Sequence, residues 1–211
     1  MPDGDSVGST PFQATITFTN IFQYFTTTST FILVFFVVMI SVFNSSIKGI
    51  IYLGGLLITT FFNYIFMHVI KNEYEPGTSG YCSIFQFPGR KYNAPSLGSV
   101  VYGFTMAYLF APMTKGPERV NIPIIITLTT LFLINTYTKI KNNCNPSWGI
   151  VLGFAFGVIC GITQFTLLDV TGYSSLLYFD EITSNNVVCS RPKDQNFVCS
   201  VWKNGQIIKN L

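Results

Sequence analysis

Five stretches of this chain carry no Asp, Glu, Lys or Arg: between Asp5 and Lys48, Lys48 and Lys71, Lys91 and Lys115, Arg119 and Lys139, and Lys141 and Asp169. A bilayer core about 30 Å thick is crossed by roughly 20 helical residues at about 1.5 Å each, and every stretch is near or above that length. A soluble domain has roughly a quarter of its residues charged, whereas here 10% are charged and 49% are hydrophobic. The pattern predicts an all-α integral membrane protein, a bundle of about five transmembrane helices. The net charge of +3 is small, and Lys115, Arg119, Lys139 and Lys141 flank the stretches without forming a basic stripe. Nucleic-acid binding therefore has no support. Residues 1–24 contain Asp3 and Asp5 but no basic segment, so the first span is expected to act as its own insertion signal.

Turn chemistry divides the chain into an N-terminal arm (1–21), a helical bundle (22–170) and an extramembrane tail (171–211). The spans are predicted at about 22–43, 49–70, 97–113, 122–138 and 148–168, with a long turn-rich loop at 71–96. Asn44-Ser45-Ser46 is so short a link that the first two spans must form an antiparallel hairpin. Gly149, Gly153, Gly157 and Gly161 recur every fourth residue, a stripe that lets another helix backbone approach. Asn63, Asn135 and Gln164 lie inside spans and are read as interhelical hydrogen-bonding groups. In the tail, residues 187–189 and 197–201 alternate around Arg191-Pro192-Lys193-Asp194-Gln195, which predicts a small β-hairpin centred on Asp194. That register would pair Cys189 with Cys199 as a cross-strand disulfide; two buried free thiols are the alternative. Asn204-Gly205 adds a second tight-turn signal.

With five spans, the arm, the 71–96 loop and the link from Lys139 to Asn145 share one face. Lys48, the Lys115 to Arg119 link and the tail share the other. Basic residues put the first face in the cytosol by the positive-inside rule. Cys82 and Cys144 both fall on that face, and if they pair, redox state and charge imply opposite orientations.

Candidates for chemistry are few. His68 is the only histidine, and no Cys or His spacing suits a metal and no glycine-rich loop suits a nucleotide, so no metal or cofactor is expected.

Two segments on the loop face do form a pattern. Pro95-Ser96-Leu97-Gly98 opens the third span, and Thr138-Lys139 is followed by Asn145 and Gly149 at the start of the fifth. Their order and spacing resemble the type-2 phosphatidic acid phosphatase superfamily of membrane lipid phosphatases. That family has Pro-Ser-Gly-His at one helix start and a Ser-Arg, His, Asp series leading into a glycine-rich helix. The resemblance implies the family's helical bundle with a dead site. Gly98 stands where the family has its acid histidine, Asn145 where it has its nucleophilic histidine, and Gly149 where it has the supporting aspartate. An amide forms no phosphohistidine, and a glycine donates no proton. Arg90, Lys91, Lys139 and Lys141 remain as candidate contacts for an anionic headgroup. The aromatic-rich spans also resemble small multispan membrane proteins of large DNA viruses.

Together these readings predict a non-catalytic scaffold or anchor, with the virion inner membrane as one setting. It would touch the bilayer and other membrane or capsid proteins through the 71–96 loop and the tail. The alternative is a divergent lipid or isoprenoid phosphate phosphatase that uses His68 with Ser96 or Cys144.

Overall fold

The structure, a computed structural model, describes residues 17–74, 78, 82, 92–115, 120–173, 176–177, 200–203 and 206–210. Five α-helices fill the main part: α1 (Phe18–Phe43), α2 (Lys48–Ile70), α3 (Leu97–Phe110), α4 (Ile122–Lys141) and α5 (Ser147–Val170). All five, with α3 extended by a 3-10 turn over Ala111–Lys115, are long and apolar enough to cross a membrane. Two short strands, β1 (Ser200–Lys203) and β2 (Gln206–Asn210), pair antiparallel on either side of residues 204–205. The hairpin expected around Asp194, with Cys189 and Cys199, lies outside the described residues.

Local chemistry accounts for the helix boundaries. Thr17 is extended, and nothing in the next residues opposes a helix, so α1 starts at Phe18, inside the predicted arm. Asn121 caps α4 by accepting the Ile124 N–H at 3.3 Å, and Pro123 occupies the first turn, where its missing N–H leaves no bond unmade. The other end of α4 runs past the predicted boundary at 138. Lys139 and Lys141 lie in its last turn, where cations suit the negative helix end. Between α1 and α2 the Ser41 hydroxyl donates to Ser46 O at 2.6 Å and accepts from Gly49 N at 2.8 Å, which closes the hairpin.

α3 is the axis of the bundle: 72% of its span is buried, against 17–28% for the other four. The glycine stripe of α5 explains how closely it is approached. A Cβ on Gly153 would lie 2.8 Å from Ser96 O, one on Gly157 2.2 Å from Val100 O, and one on Gly161 2.6 Å from Phe104 O. Gly103 of α3 returns the arrangement, 2.3 Å from Phe154 O. Backbone meets backbone along this seam, and only residues without a side chain permit it.

Polar side chains in the interior join helices to one another, as expected where no water competes. Ser29 of α1 donates to Thr26 O at 2.6 Å and accepts from Tyr102 of α3 at 2.9 Å and from Asn135 of α4 at 3.3 Å. Its single donor and both lone pairs are thus in use. Asn135 also donates to Thr26 O at 2.6 Å, and Gln164 of α5 donates to Ile51 O of α2 at 2.9 Å. Asn63 is buried, but its amide oxygen has no partner among the described residues. Outside, Phe35, Phe61, Ile58, Val151 and Leu167 are exposed, a surface matched to acyl chains.

Candidate functional site

The start of α3 meets the junction between α4 and α5 at one end of the bundle. Ser96 holds the N-cap position of α3, yet its hydroxyl makes no cap bond. It accepts from Lys139 Nζ at 3.2 Å and donates to Asn145 Oδ1 at 3.4 Å. The Ser96 N–H donates to Gly149 O at 3.0 Å. Asn145 Nδ2 reaches Asn93 O, and Asn93 N donates to Asn72 O at 2.8 Å, so the ladder continues to the end of α2. Ser96, Gly98, Lys139, Asn145 and Gly149, separated in sequence, therefore converge.

At Gly98, Asn145 and Gly149 a neighbour fills the space or engages the side chain. A Cβ on Gly98 would lie 2.2 Å from Lys139 Nζ, so the lysine ammonium occupies the room that a side chain there would need. Asn145 spends its amide at both ends as a brace between Ser96 and Asn93. A Cβ on Gly149 would meet Ala94 Cβ at 2.8 Å, so packing has closed that position. What the cluster can do chemically is donate hydrogen bonds around one cation. The one hydroxyl that stands beside a possible base is Ser96, with Lys139 Nζ at 3.2 Å, and no carboxylate or imidazole lines the cavity with them among the described residues.

Other expected residues are placed elsewhere. Thr138 bonds back to Ile134 O at 2.9 Å within its own helix and does not join the cluster. Lys141, expected beside Lys139 as a headgroup contact, is exposed and does not line the cavity described next. Residues two apart on a helix do not share a face. Pro95 is buried behind the cluster, in a cis peptide with Ala94. Arg90 and Lys91 lie outside the described residues. His68 is exposed on α2, with its ring 4.3 Å from Tyr64 and 5.4 Å from Tyr92, and Nδ1 donates to Tyr64 O at 2.9 Å. It is not brought to Ser96 or Cys144 and does not line the cavity.

That cavity, about 510 Å³, opens from the cluster down between α1, α2 and α3. Its polar end holds Lys139, Ser96, Gly98, Asn145, Tyr74 and the bonded pair Cys82–Cys144. The disulfide, with Cα atoms 5.3 Å apart, ties the 71–96 loop to the α4–α5 link and answers the question that spacing left open. Below, the walls are Phe31, Val34 and Phe35 of α1, Leu53, Leu56 and Leu57 of α2, and Leu97 and Val101 of α3. Thr30 stands at the boundary. It is 7% exposed and its hydroxyl lies 3.2 Å from a Cβ placed on Gly98. The hydroxyl run Thr26-Thr27-Thr28-Ser29-Thr30 inside a charge-free stretch was the sequence signal for this wall. Comparison with protein families, with curated proteins and with solved structures returns no match for this chain.

Proposed function

We propose that this chain is a non-catalytic, multispan membrane protein that acts as an anchor and holds an anionic group at the polar end of its cavity. One observation carries the reading. The cluster keeps a cation, Lys139, beside the Ser96 hydroxyl, while the positions that the resemblance assigns to nucleophile, acid and supporting carboxylate hold Asn145, Gly98 and Gly149, each occupied by packing or bracing. Such a set can attract negative charge, and it lacks the two histidines and the carboxylate with which the family it resembles attacks phosphorus and protonates a leaving oxygen. The scaffold part of the reading rests on sequence. Tyr74, Tyr81, Phe85, Phe87 and Tyr92 in the loop, and Tyr173, Tyr178, Phe179, Phe197 and Trp202 in the tail, are the residue types that anchor protein contacts. The tail, read as a β appendage, would supply the second contact surface, with other membrane or capsid proteins as partners.

The test is phosphate release from phosphatidic acid and isoprenoid diphosphates by the protein in nanodiscs. Wild type, Asn145→His and Gly98→His are all expected to stay at background, because restoring one histidine restores neither the partner histidine nor the carboxylate. Turnover by the wild type that disappears in His68→Ala would establish the divergent phosphatase instead.

A further inference from the structure

Both sulfurs of the Cys82–Cys144 bond lie in the wall of the cavity, at its polar end, with about 510 Å³ of open volume beside them. They are not equally covered: Cys144 is 9% exposed, whereas Cys82 is half-buried. Accessible disulfides are the ones that exchange, because a thiolate has to reach one of the two sulfurs. The fold at this end does not hang on the bond. The Ser96 N–H donates to Gly149 O at 3.0 Å, Asn145 Nδ2 reaches Asn93 O, and Gln23 Nε2 donates to Asn142 Oδ1 at 3.3 Å. The α4–α5 link is thereby held to α1 and to the start of α3 by hydrogen bonds alone. The base of the 71–96 loop is closed in the same way, by the Glu73–Tyr92 bridge and by Asn93 N donating to Asn72 O at 2.8 Å. Breaking the bond therefore releases Cys82 from the link and leaves both connections pinned where they join the helices. Asn142 O lies 3.6 Å from Cys82 Sγ, an acceptor within reach of the S–H that reduction would create.

We propose that Cys82–Cys144 is a reversible thiol-exchange site, a redox-sensitive clasp whose reactant is a dithiol small enough to enter the cavity. The inference stands apart from the anion-binding reading, since it uses neither a phosphate nor the charge of Lys139. The clasp turns over no substrate; its state decides whether Cys82 is tied to the α4–α5 link. In the first step a thiolate of the dithiol attacks Sγ of Cys82, the more accessible sulfur. A bond forms between them, the Cys82–Cys144 bond breaks, and its electron pair leaves on Cys144. In the second step the other thiolate of the reactant attacks the reactant sulfur bound to Cys82 and expels Cys82 as a thiolate. Two protons complete the two protein thiols, so the protein is reduced by two electrons and the reactant is oxidised to an internal disulfide. A small disulfide runs the same steps backward.

The experiment uses the full chain in nanodiscs without denaturant, treated with dithiothreitol, alkylated with a membrane-impermeant maleimide and mapped by mass spectrometry. Loss of the peptide pair linked through Cys82 and Cys144 is expected, with label on both of these cysteines and none on Cys160. Cys160 lies in the middle of α5 and reports unfolding, because it meets an aqueous reagent only when the bundle opens. Glutathione, a monothiol, should stop at the first step: after acid quenching, unfolding and alkylation, its mixed disulfide is expected on Cys82 and the alkyl group on Cys144. Oxidised glutathione, added once the reductant is removed, should restore the same linked pair. A bond that stays intact until Cys160 is labelled as well would be a purely structural staple, and the proposal would fall. Glutathione found on Cys144 would refute the direction of attack, and failure of the pair to re-form would refute reversibility. Reduction by a thioredoxin but not by dithiothreitol would place the attack outside the cavity and remove the small reactant.

Discussion

Replacing Gly157 by alanine should destabilise the bundle more than any other single methyl added to α5. The new Cβ would lie 2.2 Å from Val100 O and 2.9 Å from Phe104 N, whereas ordinary contact starts at 3.4 Å. The obstructing atoms are backbone, so no rotamer change relieves the overlap and α3 and α5 must part by about an ångström along their seam. Overpacking of this kind costs about 1–3 kcal/mol, and the backbone obstacle puts this site at the upper end. Alanine returns up to about 1 kcal/mol through helix propensity, which leaves a net loss near 2 kcal/mol. Gly54→Ala is the matched control, because a Cβ there meets nothing within 4 Å and keeps only the propensity gain. For a chain of this size 2 kcal/mol corresponds to a fall of about 4–8 °C in Tm. Thermal unfolding in nanodiscs or mild detergent, followed by tryptophan emission, measures both variants. A Gly157→Ala protein as stable as Gly54→Ala would refute the close α3–α5 seam and, with it, the placement of Ser96 beside Gly149.

Gly98→Ala makes the complementary case, because the obstacle is the tip of a flexible lysine: Lys139 Nζ can move aside, and Tm should stay close to wild type. Peptide mapping under non-reducing conditions should find Cys82 linked to Cys144 and Cys160 free. Cys82→Ser with Cys144→Ser, which opens a loop with a sequence separation of 62, should lower stability by about 4 kcal/mol in the chain-entropy account, read as a shift in the unfolding midpoint. Since that bond needs an oxidising compartment, a tag at the N-terminus, on the same face as the loop, should be reached from the non-cytosolic side in sealed vesicles. Ser29→Ala removes the shared partner of Tyr102 and Asn135 and should cost about 1–3 kcal/mol, with strong non-additivity against Asn135→Ala in a double-mutant cycle.

The orientation test matters because two physical arguments disagree. Lys71, Lys139 and Lys141 weight the loop face toward the cytosol, while a Cys82–Cys144 disulfide favours an oxidising compartment. In the structure Lys139 points into the cavity, so one of the charges counted toward orientation is engaged internally. The charge bias is correspondingly weaker than a residue count suggests.

Charge-free stretches were enough to foresee five helices, because burial of backbone in hydrocarbon leaves helix as the local solution and its length is set by bilayer thickness. The α5 glycine stripe and the polar residues Asn135 and Gln164 were legible for the same reason: a residue type rare in a membrane span has few uses there. Sequence order also singled out Ser96, Gly98, Lys139, Asn145 and Gly149, but it could not tell that Lys139 turns inward while Lys141, two residues on, turns out. Helix phase relative to neighbours decides that, and the phase of α4 is fixed by packing against both α1 and α3. The pairing of Cys82 with Cys144 depended on where two loops meet, which no local pattern encodes. The cavity itself was invisible for the same cause. Its walls come from four helices and two connecting segments, and an unfilled volume between them is a property of their arrangement, carried by no single residue.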